Sequence, residues 1–271
     1  VGGVSTFEVR RGADRARTRT EWLDSRHSFA FGSHYDPDNL GFGVLLAFNE
    51  DILQPGPGYP VHAHRDVEIL TWVVAGSLVH SEAGGTSAVI GAGQLHHLSA
   101  GSGIRHTEFS AGGEPVRVVQ MWLSPDEYGL PPSYRVLAVG DRLDSGELVE
   151  VASGLVGSGE GGSEVGGSEV GGGDGDGAGG DDGAGGVLRI RQRAAALSVA
   201  RLSAGAAVPL PPARYLHVYL TTGSVTVESA NGDVADLAAG DALRITGGGG
   251  EQVRAGEPAE LLVWRMQAGI G

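Results

Sequence analysis

His62-Ala63-His64-Arg65-Asp66-Val67-Glu68-Ile69-Leu70-Thr71-Trp72-Val73-Val74-Ala75-Gly76-Ser77-Leu78-Val79-His80 is the stretch on which the fold turns. It joins a His-x-His run to a β-branched and aromatic run, Glu68 to Val74, which stops at Ala75-Gly76-Ser77 and restarts at Leu78. Short runs of this composition, bounded by Gly, Pro, Asn and Asp, read as strands. Gly43 to Phe48 and Val116 to Trp122 have the same character on either side, and no long helical periodicity interrupts them. Turn signals spaced roughly eight to twelve residues apart predict an all-β chain of sandwich or barrel type.

The same rhythm returns in the second half. Tyr215 to Leu220, a turn at Thr221 to Ser224, Val225 to Glu228 and then Ala238-Ala239-Gly240-Asp241 follow the order of Glu68 to Val74, Ala75-Gly76-Ser77, Leu78 to His80 and Gly91-Ala92-Gly93-Gln94. The halves read as divergent copies, two β-barrels in tandem, and 271 residues allow each to bury its own core. The expected division is 1–134 and 135–271. The second half is interrupted at 157–186 by a stretch made almost wholly of Gly, Ser, Asp and Glu, with GGSEV repeated at 161–165 and 166–170. Such a stretch cannot bury a core and reads as a flexible insertion, since the cost of closing a loop grows slowly with its length.

Charge and composition exclude several functions. The net charge of -14 argues against a nucleic-acid partner, whose phosphates require clustered bases. Seven of the excess acids, Glu160, Glu164, Glu169, Asp174, Asp176, Asp181 and Asp182, lie in the insertion. There is no Cys, so disulfides, thiolate metal sites and cysteine nucleophiles are excluded, and any metal must be held by nitrogen and oxygen. Val1 to Arg11 lacks an apolar leader, and no later run approaches the roughly 18 apolar residues of a membrane span. A cytoplasmic protein without a membrane partner is expected.

Residues two apart on a strand share a face, so His62 and His64 can direct their rings at one point. The segment Gly101-Ser102-Gly103-Ile104-Arg105-His106-Thr107-Glu108 repeats the arrangement with His106 and Glu108. A His-x-His pair alone also suits packing or solubility, but two such pairs on neighbouring strands would bring three imidazoles and a carboxylate together. That set suits Fe(II), Mn or Ni and leaves two positions of an octahedron open to substrate or dioxygen. Glu68 shares the parity of His62 and His64 and competes with Glu108 as the fourth ligand. His217, in Arg214-Tyr215-Leu216-His217-Val218, stands alone, which predicts a metal-free second barrel. His27 and His34 read as structural or surface residues of an N-terminal loop region.

HAHRDVEILTWVVAGSLVH and GAGQLHHLSAGSGIRHTEF, at 62–80 and 91–109, resemble the pirin family of the cupin superfamily, above all its bacterial quercetinase-like members. Trp22-Leu23, Phe29-Ala30-Phe31-Gly32, His34-Tyr35-Asp36-Pro37 and Gly41-Phe42-Gly43 are similar to the same family. The likeness is strong over about residues 18–135 and faint thereafter. It implies a bicupin, two tandem jelly-roll β-barrels, whose N-terminal barrel holds one divalent metal on His62, His64, His106 and Glu108. Iron is the first expectation, with Mn, Ni, Co or Cu as the other candidates. Glu68 then becomes a residue that orients an imidazole, and His80 makes a hydrogen bond within the barrel. His96 stands where the family more often has Gln. It is either a pocket group that donates to substrate or ligand, or a partly exposed strand histidine.

The activity that the resemblance implies is quercetin (flavonol) 2,3-dioxygenase, which opens the flavonol heterocycle with dioxygen and releases carbon monoxide, with Glu108 as the catalytic base. The alternative is a non-enzymatic, metal-dependent redox sensor or regulator whose partner is another protein.

Overall fold

The computed structural model describes residues 5–83, 85, 87–155 and 186–269, so the insertion read at 157–186 lies outside the described residues apart from Gly186. The first half contributes β1 (Thr6–Arg10), β2 (Ala16–Arg19), β3 (Leu23–His27), β4 (Leu45–Leu53), β5 (Tyr59–His64) and β6 (Glu68–Ala75). It continues with β7 (Ser77–Glu82), β8 (Ser87–Gly91), β9 (Gln94–Ser99), β10 (Ile104–Ser110), β11 (Val116–Leu123) and β12 (Ser133–Ala138). The second half contributes β13 (Val149–Ser153), β14 (Leu188–Arg189), β15 (Ala195–Leu202), β16 (Ala207–Pro209) and β17 (Ala213–Thr222). It ends with β18 (Ser224–Glu228), β19 (Val234–Ala238), β20 (Ala242–Gly248), β21 (Gln252–Ala255) and β22 (Ala259–Met266). Apart from two 3-10 turns, Gly12–Asp14 and Gly140–Ser145, the described elements are all strands, and none of their helices is long and apolar enough to cross a membrane.

Each half folds into a seven-stranded sheet facing a four-stranded one. The first pair runs β12-β9-β6-β11-β4-β3-β2 and β5-β10-β7-β8; the second runs β1-β20-β17-β22-β15-β13-β14 and β16-β21-β18-β19. The orders correspond strand for strand through the middle of each barrel, as two divergent copies require. This is a bicupin architecture.

The division read at 134/135 shifts in two ways. It falls inside β12, which pairs Ser133–Ala138 antiparallel with β9 and so belongs to the first barrel. The first strand, β1, pairs with β20 and completes the second barrel's large sheet. An edge strand leaves backbone donors and acceptors unpaired, and each large sheet covers that edge with whichever chain segment lies nearest in space.

Period-two alternation explains the join between the halves. On β11, Val119, Met121 and Leu123 point toward the second half, while Val118, Gln120 and Trp122 lie on the other face. With Phe48, Leu70 and Trp72 they pack against Leu197, Val199, Tyr219, Leu262 and Trp264 in one continuous core between the two large sheets. Polar pairs cross the seam. Trp72 Nε1 donates to Glu260 Oε1 at 2.9 Å, and Arg117, which donates to Glu50 of its own barrel at 2.8 Å, reaches across to the Thr221 carbonyl at 2.7 Å. Tyr219 donates to Glu50, and Arg15 donates to the Tyr219 hydroxyl at 2.8 Å.

Candidate metal centre

The cluster forms on the four-stranded sheet of the first barrel. β10 lies between β5 and β7, with His106 opposite His62 on one side and Glu108 opposite His80 on the other. After His106 the β5 pairing slips by one residue, so that Glu108 faces Tyr59 rather than Pro60. Pro60 has no N–H to give to a ladder, and β5 is an edge strand, where both proline and a bulge are tolerated. Gly58 lets the chain enter β5 this closely. Its φ is +63°, and a Cβ there would stand 2.2 Å from the Glu108 carbonyl.

His62 and His64 are half-buried and alternate inward from β5, whereas Val61 and Ala63 are exposed. Their rings stand 4.9 Å apart, and His106 lies 4.2 Å from His62 and 5.0 Å from His64. These three offer ring nitrogens within 4.8 Å of one another. His80, His106 and Glu108 form a second group of the same tightness, wholly buried. The four expected ligands are thus divided between two triads that share His106, and His80, rather than His62 or His64, stands with Glu108 in the second. His62 Nδ1 lies 2.9 Å from the Pro60 carbonyl, to which it donates, so Nε2 is left bare. His106 Nε2 is buried and has no hydrogen-bond partner.

The electrostatics favour deprotonated donors. Burial, helped by the neighbouring His62 and His80 rings and opposed by Glu108, pushes His64 down to about 4. Burial also brings His106 down to about 3, with Glu108 opposing and the surrounding imidazoles reinforcing the shift. Both rings are neutral at physiological pH, the form that binds a metal. Burial works against the charge on Glu108, yet His80, His106 and His96 outweigh it and hold the carboxyl at about 2. The carboxylate is also held in place. Trp122 Nε1 donates to Gln120 Oε1 at 3.0 Å, and Gln120 Nε2 donates to Glu108 Oε2 at 3.1 Å. This relay was missed in the sequence, although a lone Gln in the apolar run VRVVQMWL, in step with Trp122, was its signal.

Three imidazoles and a carboxylate, with one buried nitrogen lacking a partner, fit a divalent first-row ion. Aromatic rings flank the cluster. Trp122 meets His64 edge-on at 5.0 Å and Phe31 at 5.4 Å, and Tyr59 lies 5.9 Å from His62.

Other sequence expectations resolve differently. Glu68 does hold an imidazole, but it is that of His97, which donates at 2.8 Å. Ser99 Oγ at 2.5 Å and the Arg191 backbone N–H at 3.0 Å complete its shell. Glu68 lies on the face of β6 shared with Leu70 and Trp72, away from the cluster, because the turn at Arg65–Val67 resets the parity counted from His62. His96 is fully buried, so the exposed reading fails. Its ring stands 4.5 Å from His80, and neither ring nitrogen has a partner. His80 makes the intra-barrel contact expected of it, with its Nδ1 3.0 Å from His106 Nδ1.

His27 lies on β3 rather than in a loop, held by Asn49 at 3.0 Å and Thr18 at 2.8 Å. With His34 it borders a cavity of about 540 Å³ at the seam, apart from the metal cluster. His217 faces the first half, 4.6 Å from the Phe48 ring, while Leu216, Val218 and Leu220 fill the second barrel.

Two jelly-roll barrels, one with an inward histidine cluster on its small sheet, define the chain as a double cupin. Residues 9–123 match the family described as Pirin, and residues 178–266 match the quercetinase C-terminal cupin domain. The chain is 42% identical over 269 residues to "Putative quercetin 2,3-dioxygenase Rv0181c" of Mycobacterium tuberculosis, a match covering 99% of this chain and 98% of that one. It is 38% identical over 127 residues to the quercetin 2,3-dioxygenase of Escherichia coli, covering 46% of this chain and 55% of that one. The crystal structure of the bacterial pirin YhhW from Escherichia coli in complex with nickel(II) superposes with a TM-score of 0.77 at 26% identity, over 98% of this chain and all of that one. The chain belongs to the pirin family.

Proposed function

We propose that this pirin is a metal-dependent quercetin 2,3-dioxygenase in which His62, His64, His106 and Glu108 hold one divalent ion, Fe(II) before Mn, Ni, Co or Cu. The observation that carries the reading is the grouping of three imidazoles, two of them with Nδ1 already engaged, with a buried carboxylate beside His106. The names of its relatives support the substrate class, and the nickel in a bacterial pirin supports a metal at this fold. An ion held by these residues would supply Lewis acidity toward a flavonol oxygen.

The residues around it supply positioning and proton control. Trp122, Phe31 and Tyr59 provide aromatic surface suited to a flat ring system. Gln120 fixes Glu108 through Oε2, and the carboxylate so oriented is the candidate base for the proton of the flavonol hydroxyl. The proton taken up from the hydroxyl is returned to the product. One flavonol and one dioxygen then give one depside and one carbon monoxide.

The test is to load the purified protein with Fe(II), add quercetin under air, and follow loss of its visible absorption together with carbon monoxide release. Turnover that disappears in Glu108→Gln supports the proposal. No turnover with Fe, Mn, Ni or Co would remove it in favour of a non-enzymatic metal-dependent regulator.

A further inference from the structure

His80 carries chemistry that the four-ligand reading does not use. It sits on β7 opposite Glu108, is fully buried, and brings its Nδ1 to 3.0 Å from Nδ1 of His106. A neutral imidazole has one N–H and one bare nitrogen, so two facing Nδ1 atoms make a hydrogen bond only when their rings hold opposite tautomers. If His80 donates, His106 carries its proton on Nε2 and cannot bind a metal through that atom. If His106 donates, its Nε2 is bare, and the proton of His80 moves to its own Nε2. That nitrogen is buried, has no hydrogen-bond partner, and lies 3.9 Å from the half-buried carboxylate of Glu82.

We infer that His80 is a positioning residue for the metal centre: it accepts the Nδ1–H of His106 and so fixes the ring in the tautomer whose buried, unpartnered Nε2 is bare for an ion. The inference rests on the proposed ligand set and deepens it. Two carboxylates compete for the proton of His80, Glu108 Oε1 at 3.9 Å from Nδ1 and Glu82 Oε1 at 3.9 Å from Nε2. Once Glu108 is committed to an ion and to Gln120, the Glu82 side prevails. His62 meets the same requirement through a backbone carbonyl, that of Pro60. For His106, a side chain has this part. Metal-bound histidines usually donate their second N–H to a fixed acceptor, and losing that acceptor costs about 10- to 100-fold in metal affinity.

The experiment titrates the apoprotein with Co(II), read by its visible ligand-field absorption, and records the His106 tautomer by nitrogen-15 NMR before and after Zn(II) is added. His80→Asn keeps an acceptor at the Nδ1 position, and His80→Leu removes it with little change in volume. The expected result is Co(II) affinity within a few-fold of wild type for His80→Asn and about 10- to 100-fold weaker for His80→Leu. Both apoproteins should show the wild-type circular dichroism, and the Zn(II) protein should carry its His106 proton on Nδ1. Equal affinity in the two variants, or a His106 proton on Nε2 in the Zn(II) form, overturns the inference. A second equivalent of Co(II) that is lost in both variants would instead make His80 a ligand, which also overturns it. If His106→Ala leaves Co(II) binding intact, or if wild type binds none, the ligand set itself falls and takes this inference with it.

Discussion

The two barrels share one strand order and fill it with opposite chemistry. In the first, the strands β5, β10 and β7 carry His62, His64, His106, Glu108 and His80. In the second, the corresponding strands β16, β21 and β18 carry Val208, Val253, Ala255, Val225 and Val227, all part of one apolar core. The frame does not depend on which filling it receives, because backbone ladders and the seam core hold it. The polar filling is costly. His80 Nε2, both nitrogens of His96 and His106 Nε2 are buried without partners, and each such group costs about 1–3 kcal/mol. The first barrel gives up stability to keep donors bare, and a bound ion would recover part of it, about 2.7 kcal/mol at a hundredfold excess over Kd.

The comparison breaks most visibly at the ligands. His62→Ala and His106→Ala should each lose most of the bound metal, whereas His217→Ala, whose ring lies at the seam, should keep it; metal analysis of the purified variants decides this. Next comes the seam. Trp264→Ala, which empties a fully buried position between the two large sheets, should cost about 3–5 kcal/mol in chemical denaturation. Both barrels should still unfold in one transition, since they share that core. Two separated transitions in the wild type would show that the barrels are independent.

A smaller effect is expected from acid. Burial raises Glu50, but Arg117, Tyr219 and Arg15 overcome it and leave the carboxyl below its ordinary 4.5. The folded state therefore binds this proton less readily than the unfolded chain. Its contribution is complete above about pH 4.5 and is lost as the pH falls below that value. Glu50→Gln should lower stability by about 2 kcal/mol at pH 7, the order expected of hydrogen bonds to a charged group, and should flatten the acid limb of the stability profile. An unchanged limb would remove Glu50 from the seam's account. The smallest effect sharpens the comparison directly. His96→Leu makes the first barrel's interior more like the second's and should stabilise the apoprotein by about 1 kcal/mol, with metal content unchanged. A loss of metal would give His96 a part in the site.

The sequence alone determined the strands, the duplicated rhythm and the pairing of His62 with His64 and of His106 with Glu108, because side chains alternate with a fixed period of two within a strand. It could not carry that period through the turn at Arg65–Val67, so the face of Glu68 was decided only when β6 took its place in the sheet. Tertiary structure alone brought His80 to His106, threaded Gln120 between Trp122 and Glu108, and laid β1 on the far barrel. His80 with His106, Gln120 with Glu108 and β1 with β20 each join separate strands, fixed by which hydrogen-bonding edges and apolar faces meet when the sheets close.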